Sequence, residues 1–315
     1  MAATVLTVIL NWRTAAMTLR AAEAARAAMA GVAGAIVIVD NDSQDGSFEA
    51  LTQATRDWPQ TRVVQAGRNG GFGAGNNAGI RAGLPGGGRP DYVYILNSDA
   101  FPEADAIRIL RDWLEANPRA GAAGSHVHGL DGAAHETAFR FPSIASEFEG
   151  AVRLGPVSRL LARHRVVMPL PAAPMRVDWV AGASVMIRQD ALDAAGLFDE
   201  AFFLYYEETD LCRRLAAAGW PVFYVPDARV AHIGSETTGA KRWTRTPEYW
   251  FDSRWRYFAK NHGRAYALAA TLAHLAGGLV WRLRRLIQRK PPADPPGFLA
   301  DLARHTLRRI TRPVP

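Results

Sequence analysis

Four groups of polar residues stand where this chain could do chemistry. Asn97-Ser98-Asp99 closes an apolar run over residues 92–96. A short carboxylate there suits a divalent ion, because Mg²⁺ is usually held by only one or two carboxylates together with substrate phosphates. Asn, Ser and Asp are also common turn residues, so the triplet read alone is either a metal site or a turn. Asp40-Asn41 ends a second apolar run. Asp can accept from a ring N–H and Asn can donate or accept, which fits the polar edge of a nucleobase as well as it fits an Asx-type turn. Glu207, Glu208 and Asp210 place three carboxylates within four residues behind Phe202-Phe203-Leu204-Tyr205-Tyr206. Such a cluster repels itself unless a cation, an Arg or a substrate hydroxyl compensates. At a helix start Glu207 and Asp210 share a face and Glu208 points elsewhere, and compensation of the helix dipole accounts for one or two of the acids. His232 follows the last strand-like run, where an imidazole can add one ligand to a metal.

Alternating strands and helices must position these groups. Residues 4–10 are apolar and β-branched, and Thr14 begins an Ala-rich helix running to about residue 30. Residues 35–39 read as a second buried strand, followed by a helix over about 47–57, and residues 62–65 as a third strand. A Gly-rich segment, 69–77, then leads into a helix through residue 82. It lacks the Lys-Ser/Thr ending of a P-loop, yet its backbone N–H groups can face an anion or a sugar. Residues 92–96 form the next strand, 104–116 an amphipathic helix, and 120–127 a strand before a turn at 129–132. Residues 139–175 carry five prolines and read as a loop-rich insert. Order returns with two strands over 177–188, a helix over 189–195, a helix closing at Gly219 and a last strand over 221–225. This spacing predicts an α/β fold: a Rossmann-like, mostly parallel sheet with helices on both faces and ligands at the strands' carboxyl ends.

Charge is unevenly placed. Residues 241–315 hold 16 Lys/Arg against 4 Asp/Glu, leaving 21 against 26 in residues 1–240, so a mildly acidic body precedes a strongly basic tail. That balance argues against nucleic acid as a partner and for a tail facing an anionic membrane surface. Within the tail, 265–281 is largely apolar but shorter than a bilayer span requires. An interfacial helix beside a polybasic patch fits, as does a helix packed on the catalytic domain or in a homo-oligomer interface. Cys212 is the only cysteine, which excludes an intramolecular disulfide and suits a reducing compartment. The first residues resemble a strand rather than a secretory signal, so we expect a cytoplasmic protein, peripheral on the inner face of the plasma membrane if the tail binds lipid.

Read together and in order, Ile9-Leu10-Asn11-Trp12, the run 39–47, Arg68-Asn69-Gly70-Gly71-Phe72-Gly73 with Asn76-Asn77, Leu96-Asn97-Ser98-Asp99, Asp178-Trp179-Val180-Ala181-Gly182-Ala183, and Phe198-Asp199-Glu200 through Asp210 resemble family 2 inverting glycosyltransferases. Within that family they are most similar to the bacterial rhamnosyltransferase-like branch of cell-surface polysaccharide synthesis. The resemblance covers about residues 4–235 and rests on the order of six segments. It implies a GT-A fold with a C-terminal helical basic extension: a catalytic domain over 1–240, its nucleotide-sugar half about 1–100 and its acceptor half about 101–240, then the extension at 241–315. It implies sugar transfer from a nucleotide donor, with rhamnose from dTDP-rhamnose favoured over UDP-linked sugars, to a glycan or lipid-linked acceptor, assisted by a divalent metal, Mg or Mn.

Carried over by residue, the resemblance puts Asp40 at the base, with Asn11, Trp12, Asn41, Asn69, Asn76, Asn97 and Ser98 along the donor nucleotide. Trp179, Gly182 and Ala183 fall to the acceptor and sugar. Asn97-Ser98-Asp99 occupies the Asp-X-Asp metal motif with Asn in place of its first Asp, so Asp99 dominates, joined by His232. Glu208 stands where the family has the Asp of a Glu-Asp pair, the general base, with Glu207 or Asp210 as substitutes. The Asn97 and Glu208 departures leave room for an inactive sugar-nucleotide-binding scaffold. A nucleotidyltransferase would need an early basic phosphate loop, which Asn11-Trp12-Arg13-Thr14 does not supply.

Overall fold

The computed structural model describes residues 2–234 and 243–311. In chain order it contains β1 (Val5–Asn11), α1 (Ala15–Ala28), β2 (Gly34–Asp40), α2 (Ser47–Thr55), β3 (Thr61–Gln65), α3 (Gly71–Ala82), β4 (Tyr92–Asn97), β5 (Ala100–Pro102), α4 (Ala106–Ala116), β6 (Ala122–His128) and β7 (Ala138–Phe139). There follow α5 (Ile144–Val152), α6 (Gly155–Leu160), β8 (Met175–Val177), β9 (Trp179–Val180), β10 (Ser184–Arg188), α7 (Gln189–Ala195), α8 (Glu207–Ala217), β11 (Val222–His232), α9 (Glu248–His262), α10 (Arg264–Gln288) and α11 (Phe298–Thr311). The chain divides into two compact units. One comprises Met1–Phe139, Pro169–Phe203 and Glu207–Thr238, the other Arg140–Met168, Leu204–Tyr206 and Gly239–Pro315. The basic extension expected from residue 241 is therefore only part of the second unit, and its Lys241, Arg242 and Arg312 lie outside the described residues.

The first unit is built on one sheet in the order β3-β2-β1-β4-β10-β6-β11-β5, with β8 on β11. The first four strands are all parallel, in the register Asn11↔Asp40 and Leu10↔Asn97. The runs of β1, β2 and β4 are buried on both faces, as parallel strands covered by helices must be, while edge strand β3 is half-buried. Antiparallel β10 joins this half to the parallel pair β6–β11. The small residues of α1 let it sit close on the sheet, where Ala22, Ala25 and Ala28 join the core with Ile9, Ile36 and Tyr94.

Three details of the sequence reading change. The glycines of α3 are packing positions more than an anion cradle: a Cβ at Gly75 would lie 2.3 Å from Leu10 and one at Gly79 2.4 Å from Val8. The first N–H groups of the helix are engaged within the protein, Gly71 with Asn69 Oδ1 at 3.1 Å and Phe72 with the carbonyl of Phe203 at 2.9 Å. The last strand runs on to His232 instead of ending near 225, because a register shift between Val225 and Arg229 takes Pro226 out of the ladder. And the segment 139–175 is not mainly loop. It forms α5 and α6, with Ser143 and Ser146 making a reciprocal capping box and Pro156 falling at the first turn, where its missing N–H costs nothing.

In the second unit, α10 packs on α5, α9 and α11. Gly277 and Gly278 allow the close approach, since a Cβ would meet the Phe148 carbonyl at 2.7 Å and Leu299 at 2.8 Å. Glu147 of α5 is buried here with Arg254 at 2.8 Å and His274 at 2.7 Å. Tyr205 and Tyr206 both adopt left-handed backbone, φ 70° and 69°, rare for aromatic residues. Their rings lie against Tyr249 and Trp243, and against Tyr257 and Trp250. Among the described residues no helix is long and apolar enough to cross a membrane.

Candidate active site

The carboxyl ends of β2, β1 and β4 place Asp40, Asn11 and Asn97 on neighbouring strands. Asp40 is buried, and its carboxylate accepts from Asn11 Nδ2 at 2.7 Å, Ser43 Oγ at 2.6 Å and the Ser43 N–H at 3.1 Å. Asn11 is in turn fixed by Thr18, whose hydroxyl donates to its Oδ1 at 2.6 Å. Asn11 and Ser43 therefore hold Asp40 in place. Trp12 is half-buried beneath the guanidinium of Arg13, 5.2 Å from its ring centre. Asn41 donates to Asn69 and to the carbonyl of Gly71, leaving its own Oδ1 buried and unbonded. Asn76 donates to the Phe72 carbonyl and likewise keeps a buried Oδ1 with no partner. These are two orphaned acceptors, one on the residue after β2 and one within α3, where buried polar atoms are otherwise paired.

Asn97 ends β4, and Ser98 and Asp99, both buried, form the tight link to β5. His232, at the end of β11, pairs with Ala100 of β5 in the ladder. That register brings its Nε2 to 3.0 Å from Asp99 Oδ1 and 3.5 Å from Asn97 Nδ2, while the Gly234 N–H donates to Asp99 Oδ2 at 3.1 Å. Burial pushes the Asp99 carboxyl up, but the His232 hydrogen bond and charge and the Gly234 N–H outweigh it and hold the group below the usual carboxylate range. Among the described residues no cluster of three or more His, Cys, Asp or Glu side chains is placed to hold an ion. The set present is one ionised carboxylate, one imidazole and the unpartnered amide oxygen of Asn97. It fits a hard divalent ion that takes its remaining ligands from substrate oxygens.

The third part comes from α8 and the turn between β9 and β10. Ala183 accepts from the Asn97 N–H at 3.0 Å, which seats that turn against the end of β4. Gly182 follows Ala181 there. A Cβ on Gly182 would lie 3.2 Å from Phe72 and 3.8 Å from Glu208 Oε1. Burial raises the Glu208 carboxyl above its ordinary range, partly offset by N–H donation from its own backbone and from Gly182, and its Oε2 is buried without a partner. The Cβ of Glu207 lies 3.7 Å from where a Cβ on Gly73 of α3 would stand, and its Oε2 is also buried without a partner. Burial, and then the charge of Glu208, push its carboxyl well up. Asp210 is fully buried and bound at 2.8 Å to Arg214, which also donates to the carbonyls of Ala195, Gly196 and Leu197. As a substitute base Asp210 is poorly placed, since its carboxylate is already committed to a cation. Trp179 is half-buried and stacked on Phe139 with ring centres 4.0 Å apart.

Several residues that matter here escaped the sequence reading. Ser43 is part of the Asp40 run and its position three residues on is an Asx-turn signal. Asn77 clamps the backbone of Phe198 from both sides and also reaches Glu200, contacts between residues more than a hundred positions apart. Arg214 stands four residues after Asp210, the helical spacing of an ion pair.

Comparison with known proteins adds an independent finding. The family described as "Glycosyltransferase like family 2" matches residues 3–266. The chain is 33% identical over 213 residues to an N-acetylglucosaminyl-diphospho-decaprenol L-rhamnosyltransferase of Mycobacterium tuberculosis, covering 65% of this chain and 68% of that one. It is 25% identical over 142 residues to the rhamnosyltransferase WbbL of Escherichia coli, covering 45% and 52%. Among solved structures, the mannosyltransferase PcManGT from Pyrobaculum calidifontis in complex with GDP-Man and Mn²⁺ superposes with a TM-score of 0.54 at 13% identity, over 99% of this chain and 88% of that one. The fold is thus the GT-A fold.

Proposed function

The chain belongs to glycosyltransferase family 2 and is a glycosyltransferase, and we propose that it moves rhamnose from dTDP-rhamnose, with inversion, to a hydroxyl of a lipid-linked or cell-surface glycan. The one observation that carries the chemistry is the buried, unpartnered oxygen of Glu208 on α8, beside the Gly182 turn that Asn97 ties to the Asp99 corner. The choice of sugar and acceptor is supported by the mycobacterial relative, named for L-rhamnosyl transfer on an N-acetylglucosaminyl-diphospho-decaprenol.

In this reading Asp40, oriented by Asn11 and Ser43, takes the edge of the base, and the orphaned oxygens of Asn41 and Asn76 accept from the donor's ring N–H and hydroxyl groups. Asp99, His232 and Asn97 would hold Mg²⁺ or Mn²⁺ together with the donor diphosphate, and the ion supplies charge neutralisation to the departing phosphate oxygens. Glu208 removes the proton of the acceptor hydroxyl at Oε2. The freed oxygen forms its bond to the anomeric carbon as the bond from that carbon to the diphosphate oxygen breaks, and a single attack from the opposite face inverts the centre. Burial favours a proton on Glu208, which makes its carboxylate the stronger base once ionised. The Trp179–Phe139 stack offers a flat apolar wall to a sugar ring.

The test compares the native protein with Glu208→Gln against a panel of nucleotide sugars with and without Mn²⁺. The expected result is turnover with dTDP-rhamnose, unchanged donor binding in the variant, and a rate lower by about 10²–10⁴. Donor binding without any turnover in the native protein would identify a scaffold, and near-native turnover by the variant would remove Glu208 as base.

A further inference from the structure

α10 has two apolar faces, and only one is used. Its buried residues, among them Ala270, Gly277, Gly278 and Trp281, face α5, α9 and α11. On the opposite side Leu272, Leu279, Val280, Leu283, Leu286 and Ile287 are exposed at 56, 61, 40, 62, 68 and 74%. At 100° per residue these six fall within a stripe roughly 120° wide, centred about 180° from the buried face. Arg282 stands exposed at one edge of the stripe, and Arg289 and Lys290 are exposed just beyond its end. Between Asp252 and Asp294 the chain carries nine Lys/Arg and no Asp or Glu.

We infer that this outer face of α10 is the surface by which the protein lies on an anionic lipid bilayer. The inference deepens the reading above, by naming the surface on which a lipid-linked acceptor would be met. A helix lying in the interface needs an apolar face that enters the acyl boundary and basic residues at its margins, and neither signal alone holds a protein there. α10 has both. It cannot cross the bilayer, since its other face is spent on protein contacts and Arg264, His274, Arg284 and Arg285 interrupt it. A second copy of the chain is the poorer occupant. Two such faces would oppose Arg282 and Arg289 with no acidic residue between 253 and 293 to pair with them, and the stripe is wider than the two-residue seam of a paired coil.

The experiment is cosedimentation of the full-length protein with vesicles of phosphatidylcholine containing about a third phosphatidylglycerol, against phosphatidylcholine alone. The native protein is expected to partition at least about tenfold more strongly onto the anionic vesicles and to be released by high salt. Leu283→Glu with Ile287→Glu is expected to lower partitioning by at least about tenfold while the melting temperature and the far-ultraviolet dichroism hold, because both side chains are exposed. Undiminished binding by that variant, a native protein that stays in the supernatant, or a native dimer that the variant turns into a monomer would each overturn the inference. Donor hydrolysis measured without vesicles reads the catalytic proposal separately, so the two can fail independently.

Discussion

Replacing Glu147 by Gln should destabilise the helical unit at neutral pH and have much less effect in acid. The carboxylate is buried in the first turn of α5, and its Oε2 accepts from Arg254 Nη2 at 2.8 Å, Arg254 Nε at 3.2 Å and His274 Nδ1 at 2.7 Å. Burial alone would push it up, but the Arg254 charge and the His274 hydrogen bond win and bring it down to about 2, from an ordinary 4.5. A carboxyl titrating at about 2 when folded and near 4.5 when unfolded contributes about 3 kcal/mol at pH 7. Because the folded value is the lower one, that contribution is complete above pH 4.5 and is lost as pH falls toward 2. By about pH 3 the unfolded chain has taken up its proton and only about 1 kcal/mol remains. The Gln variant leaves Arg254 buried beside a neutral partner at every pH, and the expected loss at pH 7 agrees with the roughly 3–5 kcal/mol of a broken buried pair. Urea unfolding followed by tryptophan fluorescence measures it, since four of the nine tryptophans, Trp243, Trp250, Trp255 and Trp281, belong to this unit. With an m-value of about 2 kcal/mol/M the midpoints should differ by roughly 1.5 M at pH 7 and by about a third of that near pH 3. A gap that does not narrow with acid would refute the ion-pair account.

Three further outcomes follow, two of them from the site. Gly71→Ala would put a Cβ 1.8 Å from the Phe203 carbonyl at a φ of +86°, so the hydrogen bond from Phe72 should break and thermal stability should fall by several degrees, with loss of turnover; Gly150→Ala, on an open face of α5, should instead raise stability by about 0.5–1 kcal/mol, and equal effects would discount the packing argument. Since burial raises Glu208, the acid limb of the pH–rate profile should lie above the usual glutamate range, and Glu208→Gln should abolish that limb; an acid limb at or below the ordinary glutamate position would contradict it.

Strand positions were legible because β1, β2 and β4 are short uninterrupted apolar or β-branched runs between polar stops, and those polar stops supply the candidate site. What the residues could not disclose depended on long-range register. Pro226 looks like the end of a strand, and only pairing with β6 and β5 shows the ladder resuming to carry His232 to Asp99. Pro142 and Pro156 look like breakers, and only the cap at Ser143 and the first-turn position of Pro156 show helices beginning there. The glycines of α3 look like a phosphate cradle, until the side chains of Leu10 and Val8 are found against them. The three carboxylates at 207–210 are indistinguishable by type. Arg214 separates Asp210, α3 takes Glu207, and the Gly182 turn is left to Glu208.

The contact between His232 and Asp99 spans 133 residues, and this sets the order in which a newly made chain can acquire its centre. At typical synthesis speeds Asp99 leaves the ribosome on the order of 10 s before its histidine does. Throughout that interval the first parallel strands can pair and bury their runs, so a nascent chain can carry β1 to β4 packed while Asp99 still lacks its histidine. The last strand among the described residues, β11, is thus the one that delivers His232 to a carboxylate made long before it.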